Sequence, residues 1–249
     1  MITIMGAGAV GALAYTFSDS FWFSAVESEV YALSSLATAV VFWAILKWEA
    51  HADEPRADRW LLFIAYIMGL SIGIHILNLL TIPAIAFVYY FRKTEKPTTK
   101  GIFKTFAVGI LILAVVQYGI IQYLVSFGAY FDLFFVNTLG LGFGTGVLFF
   151  IVLLVTGLVL AIRYSIKHQK KILNLALLST VLIIFGYGSF AMILIRAQAK
   201  PNLNNSNPDN AFSFLSYLNR EQYGDRPLLV GKNYNSILNI KMMAATQSG

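Results

Sequence analysis

Residues 60–91 read Trp60-Leu-Leu-Phe-Ile-Ala-Tyr-Ile-Met-Gly69-Leu-Ser-Ile-Gly73-Ile-His75-Ile-Leu-Asn78-Leu-Leu-Thr-Ile-Pro83-Ala-Ile-Ala-Phe-Val-Tyr-Tyr-Phe91, and the division of this run decides the fold. As one helix it would be about 48 Å long, far beyond the ~30 Å hydrocarbon core of a bilayer. Gly69, Gly73, His75, Asn78 and Pro83 interrupt it, and a polar break at His75–Asn78 splits it into two short helices. Charge tests the split. Lys47, Arg56 and Arg59 fall in one connection, Arg92, Lys93, Lys96, Lys100 and Lys104 in the next, and Arg163, Lys167, Lys170 and Lys171 in a third. With the split, all three connections share one face, which the positive-inside rule makes cytoplasmic. Without it, the five-cation connection would face outward.

Working outward, the 249 residues are 58% hydrophobic and only 12% charged, with a mean hydropathy of +0.70. Soluble domains carry about twice that charge, so a soluble domain and a disordered chain are excluded. No cysteine is present, which removes disulfides, thiol catalysis and Cys-ligated metal. The predicted fold is an all-α polytopic transmembrane bundle with seven spans, 1–17, 30–46, 60–74, 77–91, 106–127, 133–162 and 172–195. The first lacks the charged leader of a cleavable signal and reads as a retained helix. Residues 1–196 form the membrane domain, with the N-terminus cytoplasmic. Residues 197–249 form an extracytoplasmic linker and C-terminal region: an Asn-rich polar stretch with Pro201 and Pro208, an amphipathic helix over 211–221, a turn at 223–227 and a short strand at 228–230. The net charge of +6 is accounted for without nucleic acid, because 12 of the 18 Lys and Arg lie in the three cytoplasmic connections and the other six are Arg196 and five residues of the tail that follows it.

The short outer loops carry Asp19, Glu27, Glu29 and Asp132 and no Lys or Arg. Glu27 and Glu29 precede an apolar span, where a helix N-terminus favours carboxylates. The competing reading is a carboxylate at the rim of a membrane cavity, suited to a general base. Two apart on a helix, the pair diverge by about 200°, so one at most faces the bundle. His75 and Asn78 either satisfy the ends of a broken helix or contact an anionic or hydroxylic substrate. A metal site is not expected, since His51 and His168 lie on the other face.

Four further features have structural readings. Gly6-Ala-Gly8-Ala-Val-Gly11 fits a dinucleotide fingerprint but lacks the βαβ context, so a helix-packing stripe is expected. Asn137-Thr-Leu-Gly-Leu-Gly-Phe-Gly-Thr-Gly146 reads as an outer loop or close-packing stripe. Gln117 and Gln122 read as interhelical hydrogen-bond partners. Asn204-Asn205-Ser206 is a glycosylation sequon.

The block Phe21-Trp-Phe-Ser-Ala-Val-Glu-Ser-Glu-Val-Tyr-Ala-Leu-Ser34, followed by Gly69-Leu-Ser-Ile-Gly-Ile-His-Ile-Leu-Asn-Leu-Leu80, resembles a family of large bacterial multi-spanning membrane proteins similar to the protein O-mannosyltransferases of the GT-C superfamily. Tyr223-Gly-Asp-Arg-Pro-Leu-Leu229 resembles the start of that family's outer region. The resemblance implies a glycosyltransferase of the bacterial inner membrane. It would take a sugar from a polyprenyl-phosphate donor and place it on a hydroxyl of a protein or glycan acceptor outside the cytoplasm, with no separate cofactor. It puts the family's acidic position on Glu29, with Glu27 beside it, and its histidine on His75. Asp19, His75 and Asn78 would then bind substrate. It also implies a further span and a first acidic outer loop before Met1, and a longer chain after Gly249, so a fragment is expected. A transporter and a non-catalytic assembly subunit are the alternatives; a transporter would show broken helices in corresponding halves, and only one broken pair is visible.

Overall fold

The computed structural model describes residues 1–224, so the turn at 223–227 is described only as far as Gly224, and the strand at 228–230 lies outside the described residues. The described residues form helices and turns, with no strand among them. The helices are α1 (Ile2–Thr16), α2 (Asp19–Val26), α3 (Tyr31–Ala50), α4 (Arg59–Ile72), α5 (Ile82–Lys93), α6 (Thr99–Ala114), α7 (Leu124–Asn137), α8 (Thr145–Lys167), α9 (Lys171–Tyr187), α10 (Met192–Gln198) and α11 (Ala211–Leu218). Four continuous helical stretches are long and apolar enough to cross a membrane: Tyr31–Ala50, Thr99–Asn137, Thr145–Lys167 and Lys171–Gln198.

The break in residues 60–91 is present. α4 ends at Ile72, a 3₁₀ turn covers Ile76–Thr81, and Pro83 enters the first turn of α5, where a missing N–H costs nothing. α4 and α5 have only 14 and 12 residues. Neither is long enough to cross by itself, and α4 is instead enclosed by neighbours, with Ile64, Ala65, Met68 and Ile72 buried. The fifth and sixth predicted spans need correction. Residues 128–132 are not a loop: α6 continues through a π-helical stretch, Val115–Tyr123, into α7. The chain turns instead at the Gly-rich residues 138–144, just before α8. An apolar count cannot see a glycine break inside an otherwise apolar run.

Asp132 holds that turn. Its carboxylate accepts from the backbone N–H of Gly144 (2.9 and 3.1 Å) and of Gly146 (3.0 Å), satisfying donors at the start of α8 that have no partner inside the helix. Gly144, at φ +86°, sits in the left-handed region open to glycine. Asp132→Asn keeps the shape but removes the charge and one acceptor. A loss of about 1–2 kcal/mol is expected, read as a lower midpoint of thermal unfolding in detergent. An unchanged midpoint would show the cap to be unimportant.

Helix directions follow from which residues touch. Gly69 and Gly186 lie against Ile183 and Leu70, so α4 and α9 run parallel. Gly109 lies against Pro83, and Gly101 against Tyr90, so α5 and α6 are antiparallel. Arg92 Nε donates to the Glu49 carbonyl (3.0 Å), Lys93 Nζ donates to the Ala52 carbonyl (2.8 Å), and Arg92 pairs with Asp53. The hydrogen bond from Arg92 holds the Asp53 carboxyl below its ordinary range. These contacts tie the first two basic connections together, and the parallel α4 and α9 bring Lys171 to the end that holds Arg59. All three basic connections therefore share one end of the bundle, the arrangement the split required.

The core centres on Val41, Ile45 and Trp48 of α3, the buried face of α4, and Ile183 and Tyr187 of α9. Trp48 is fully buried and stacks on Tyr89 at 5.1 Å. Tyr187 Oη donates to the Ile121 carbonyl (3.3 Å) in the π-helical stretch, where the shifted ladder presents a carbonyl to another helix. Gln117 and Gln122 lie in the same stretch, but neither side chain has a hydrogen-bond partner among the described residues, contrary to expectation. The small-residue stripe of α1 is equally unpartnered: a Cβ on Gly6, Gly8 or Gly11 would meet nothing within 4 Å. α11 forms within the region expected to be amphipathic. Asn210 caps it by accepting from Phe212 and Ser213 N–H (3.0 Å each), and Phe214 is buried against Phe190. Asn204, the sequon residue, donates from Nδ2 to the Ala197 carbonyl at 3.4 Å.

Candidate functional site

The end opposite the basic connections collects the residues singled out for chemistry. A cavity of about 520 Å³ opens there, lined by Tyr15 of α1, by Tyr31, Ser34, Ser35, Thr38 and Ala39 of α3, and by Leu77 from the turn after α4. Tyr31, Ser34, Ser35 and Thr38 recur at helical spacing, which turns one polar stripe of an apolar helix toward the opening. The only signal of this stripe in Tyr31-Ala-Leu-Ser-Ser-Leu-Ala-Thr38 is the spacing of its hydroxyls, a weak one because hydroxyls in helices commonly bond their own backbone. Thr38 does both: Oγ1 lies 3.0 Å from the Ser34 carbonyl and 3.1 Å from Asn78 Oδ1.

His75 stands at the edge of this cavity. Its backbone is extended (φ −162°, ψ 131°) and it caps the 3₁₀ turn, with Nδ1 accepting from Leu77 N–H at 3.2 Å. An accepting Nδ1 carries no proton, so the neutral ring bears its hydrogen on Nε2. The ring is half-buried and lies 5.6 Å from the Tyr31 ring. Asn78 lies inside the bundle, behind Thr38. It is fully buried, with Nδ2 donating to Ser71 Oγ (3.1 Å) and its carbonyl accepting from Thr81 Oγ1 (2.7 Å). Its side-chain amide bonds the Ser71 and Thr38 hydroxyls of α4 and α3 rather than a free backbone end of the broken helix.

The carboxylates lie on the chain entering α3. Glu27 ends α2 in extended backbone (φ −77°, ψ 153°), and Glu29 lies in the link just before Val30, the residue that precedes α3. Neither is inside a helix, so the 200° divergence expected of a helical pair does not apply. Nor does α3 hold an acidic residue in its first turn. Both side chains are exposed, and neither has a hydrogen-bond or ion-pair partner among the described residues. Glu29 is two residues from Tyr31, which limits their Cα separation to about 7 Å and keeps Glu29 by the cavity rim. Asp19 is exposed at the first position of α2, where Phe17 and Trp22 stack at 6.0 Å beside it. Among the described residues no three His, Asp or Glu side chains come together as metal ligands.

Residues 1–98 match the family model described as the Protein O-mannosyl-transferase TMEM260 N-terminal domain. Over that segment the chain is O-mannosyltransferase-like. The matched residues include α1 to α5, the cavity, and Asp19, Glu27, Glu29, His75 and Asn78. Neither the curated proteins nor the solved structures contain a match to this chain.

Proposed function

We propose that this chain is a membrane glycosyltransferase, or a part of one, that transfers a sugar from a polyprenyl-phosphate carrier to a hydroxyl of a protein or glycan acceptor on the extracytoplasmic side. The match of residues 1–98 to an O-mannosyltransferase domain carries the reading. The hydroxyl-lined cavity between His75 and the carboxylate-bearing link supports it. In this reading the bundle crosses the bilayer with its basic end in the cytoplasm, residues 1–196 forming the membrane domain and residues 197–249 an extracytoplasmic region. A bacterial inner membrane is the proposed location.

The chemistry needs a base, a leaving group and a place for sugar hydroxyls. Glu29, or Glu27 beside it, accepts the proton of the acceptor hydroxyl as that oxygen bonds to the anomeric carbon. The carrier phosphate departs with the electrons of the broken bond. His75 Nε2–H donates to a phosphate oxygen, and Ser34, Ser35 and Thr38 offer hydroxyls to the sugar. Asp19 lies further out, where it meets the acceptor. Asn78 holds the turn that aims His75.

The test is transfer of label from polyprenyl-phosphate mannose to acceptor in membranes containing the protein. Glu29→Gln is expected to lower the rate by about 100-fold or more, and His75→Ala by about tenfold through loss of one hydrogen bond to a charged group. Undiminished transfer in both variants would remove these residues from the reaction.

A further inference from the structure

A second, larger cavity of about 620 Å³ opens at the other end of the bundle, and nothing in the proposed reaction uses it. It lies between two helix pairs, α4 with α9 and α5 with α6, each held close by a glycine contact (Gly69 and Gly186 in the first, Gly109 in the second). The pairs diverge and leave a cleft whose walls are apolar (Ala65, Met68, Ile85, Ala176 and Ile183 among them). Along α6 and the start of the π-helical stretch it extends from Gly101 to Val116. That is about 22 Å at 1.5 Å per residue, enough to cover one leaflet of a ~30 Å hydrocarbon core.

The mouth has the opposite character. Lys93, Thr94, Lys104 and Tyr90 ring it, and no carboxylate lines any part of the cleft. Lys93 is engaged with the Ala52 carbonyl and Asp53. Lys104 is exposed and has no ion-pair partner among the described residues. Tyr90 Oη accepts from Thr98 N–H (3.1 Å), which leaves its own proton to donate. An ammonium and free hydroxyl donors above a leaflet-deep apolar slot complement one kind of molecule: an acyl chain ending in an anionic phosphate at headgroup depth.

We propose that this cleft binds an anionic glycerophospholipid of the leaflet at the basic end, one acyl chain lying between the helix pairs and its phosphate meeting Lys104 and Tyr90. The site is separate from the sugar-transfer cavity and independent of that reading. Occupancy would fill the gap between the two helix pairs, coupling bundle stability to the lipid composition of the membrane.

The experiment uses the full chain in nanodiscs with phosphatidylglycerol or phosphatidylcholine carrying a photoreactive acyl chain, followed by peptide mapping of the adducts. α8, whose side chains are largely exposed along its length, reports contact with bulk lipid. The ratio of cleft label (peptides holding Ala65 or Ala176) to α8 label is expected to be about fivefold higher for phosphatidylglycerol, the selectivity one lysine gives at a membrane surface. Lys104→Glu should reduce the ratio to the phosphatidylcholine level, and Lys104→Arg should restore it. Equal ratios for the two lipids, or an unlabelled cleft because another helix or a second copy fills it, would overturn the proposal.

Discussion

Gly186→Ala is expected to destabilise the protein by about 3 kcal/mol or more, although alanine is the better helix former by about 1 kcal/mol. The added Cβ would lie 2.6 Å from the Leu70 nitrogen, 2.7 Å from the Tyr66 carbonyl oxygen and 2.8 Å from the Gly69 carbonyl carbon. All three are backbone atoms, so no side-chain rotation relieves the overlap and α9 must move off α4. The contact is reciprocal, since a Cβ on Gly69 would approach Ile183 Cα to 2.9 Å. Separation would break the packing of Ile183 and Tyr187 against Ile64, Met68 and Ile72, the centre of the core, and in a membrane van der Waals packing at such close approaches is one of the forces that hold helices together. Gly157→Ala is the matched control, because its Cβ meets nothing within 4 Å. Thermal unfolding in detergent should move in opposite directions, sharply down for Gly186→Ala and level or slightly up for Gly157→Ala. Equal shifts would mean that the α4–α9 contact is not what holds the bundle.

The second large effect is expected at Asn78. Asn78→Asp preserves shape but places a carboxylate where no part of the side chain reaches solvent. The replaced Nδ2 donates to Ser71 Oγ, whose own hydrogen already goes to the Met68 carbonyl (2.9 Å). The substitution would therefore set lone pair against lone pair as well as bury a charge with no cationic partner, a loss of about 3–5 kcal/mol. Asn78→Ala should cost less, about 1–2 kcal/mol, because Thr38 and Ser71 retain the Ser34 and Met68 carbonyls as acceptors. Unfolding midpoints ordered wild type, Asn78→Ala, Asn78→Asp would fit this account. An Asp variant as stable as the Ala variant would contradict it.

The site was unevenly legible in the sequence. His75 and the carboxylates stood out because ionisable groups are rare in apolar segments. Their partners did not: Tyr31, Ser34, Ser35 and Thr38 look like ordinary helix residues until the turn after α4 is folded against them. Asn78 was visible as a polar residue in the right place, but the backbone alone turned it inward. Asp132 was read as one more outer acid in a loop, whereas it sits within α7 and caps α8 from 12 residues away.

The sequence by itself determined the helical character of the described residues, the break in residues 60–91 and the sharing of one end by the three basic connections. Each depends on local quantities: apolar length, a Pro with a polar cluster, and the count of Lys and Arg between apolar runs. Tertiary structure alone decided that α6 and α7 continue through residues 128–132, that Gly69 and Gly186 meet while Gly6, Gly8 and Gly11 meet nothing, and that two helix pairs part to leave a leaflet-deep cleft. Those outcomes depend on which surfaces meet across tens of residues, and small residues permit a close approach without specifying its partner.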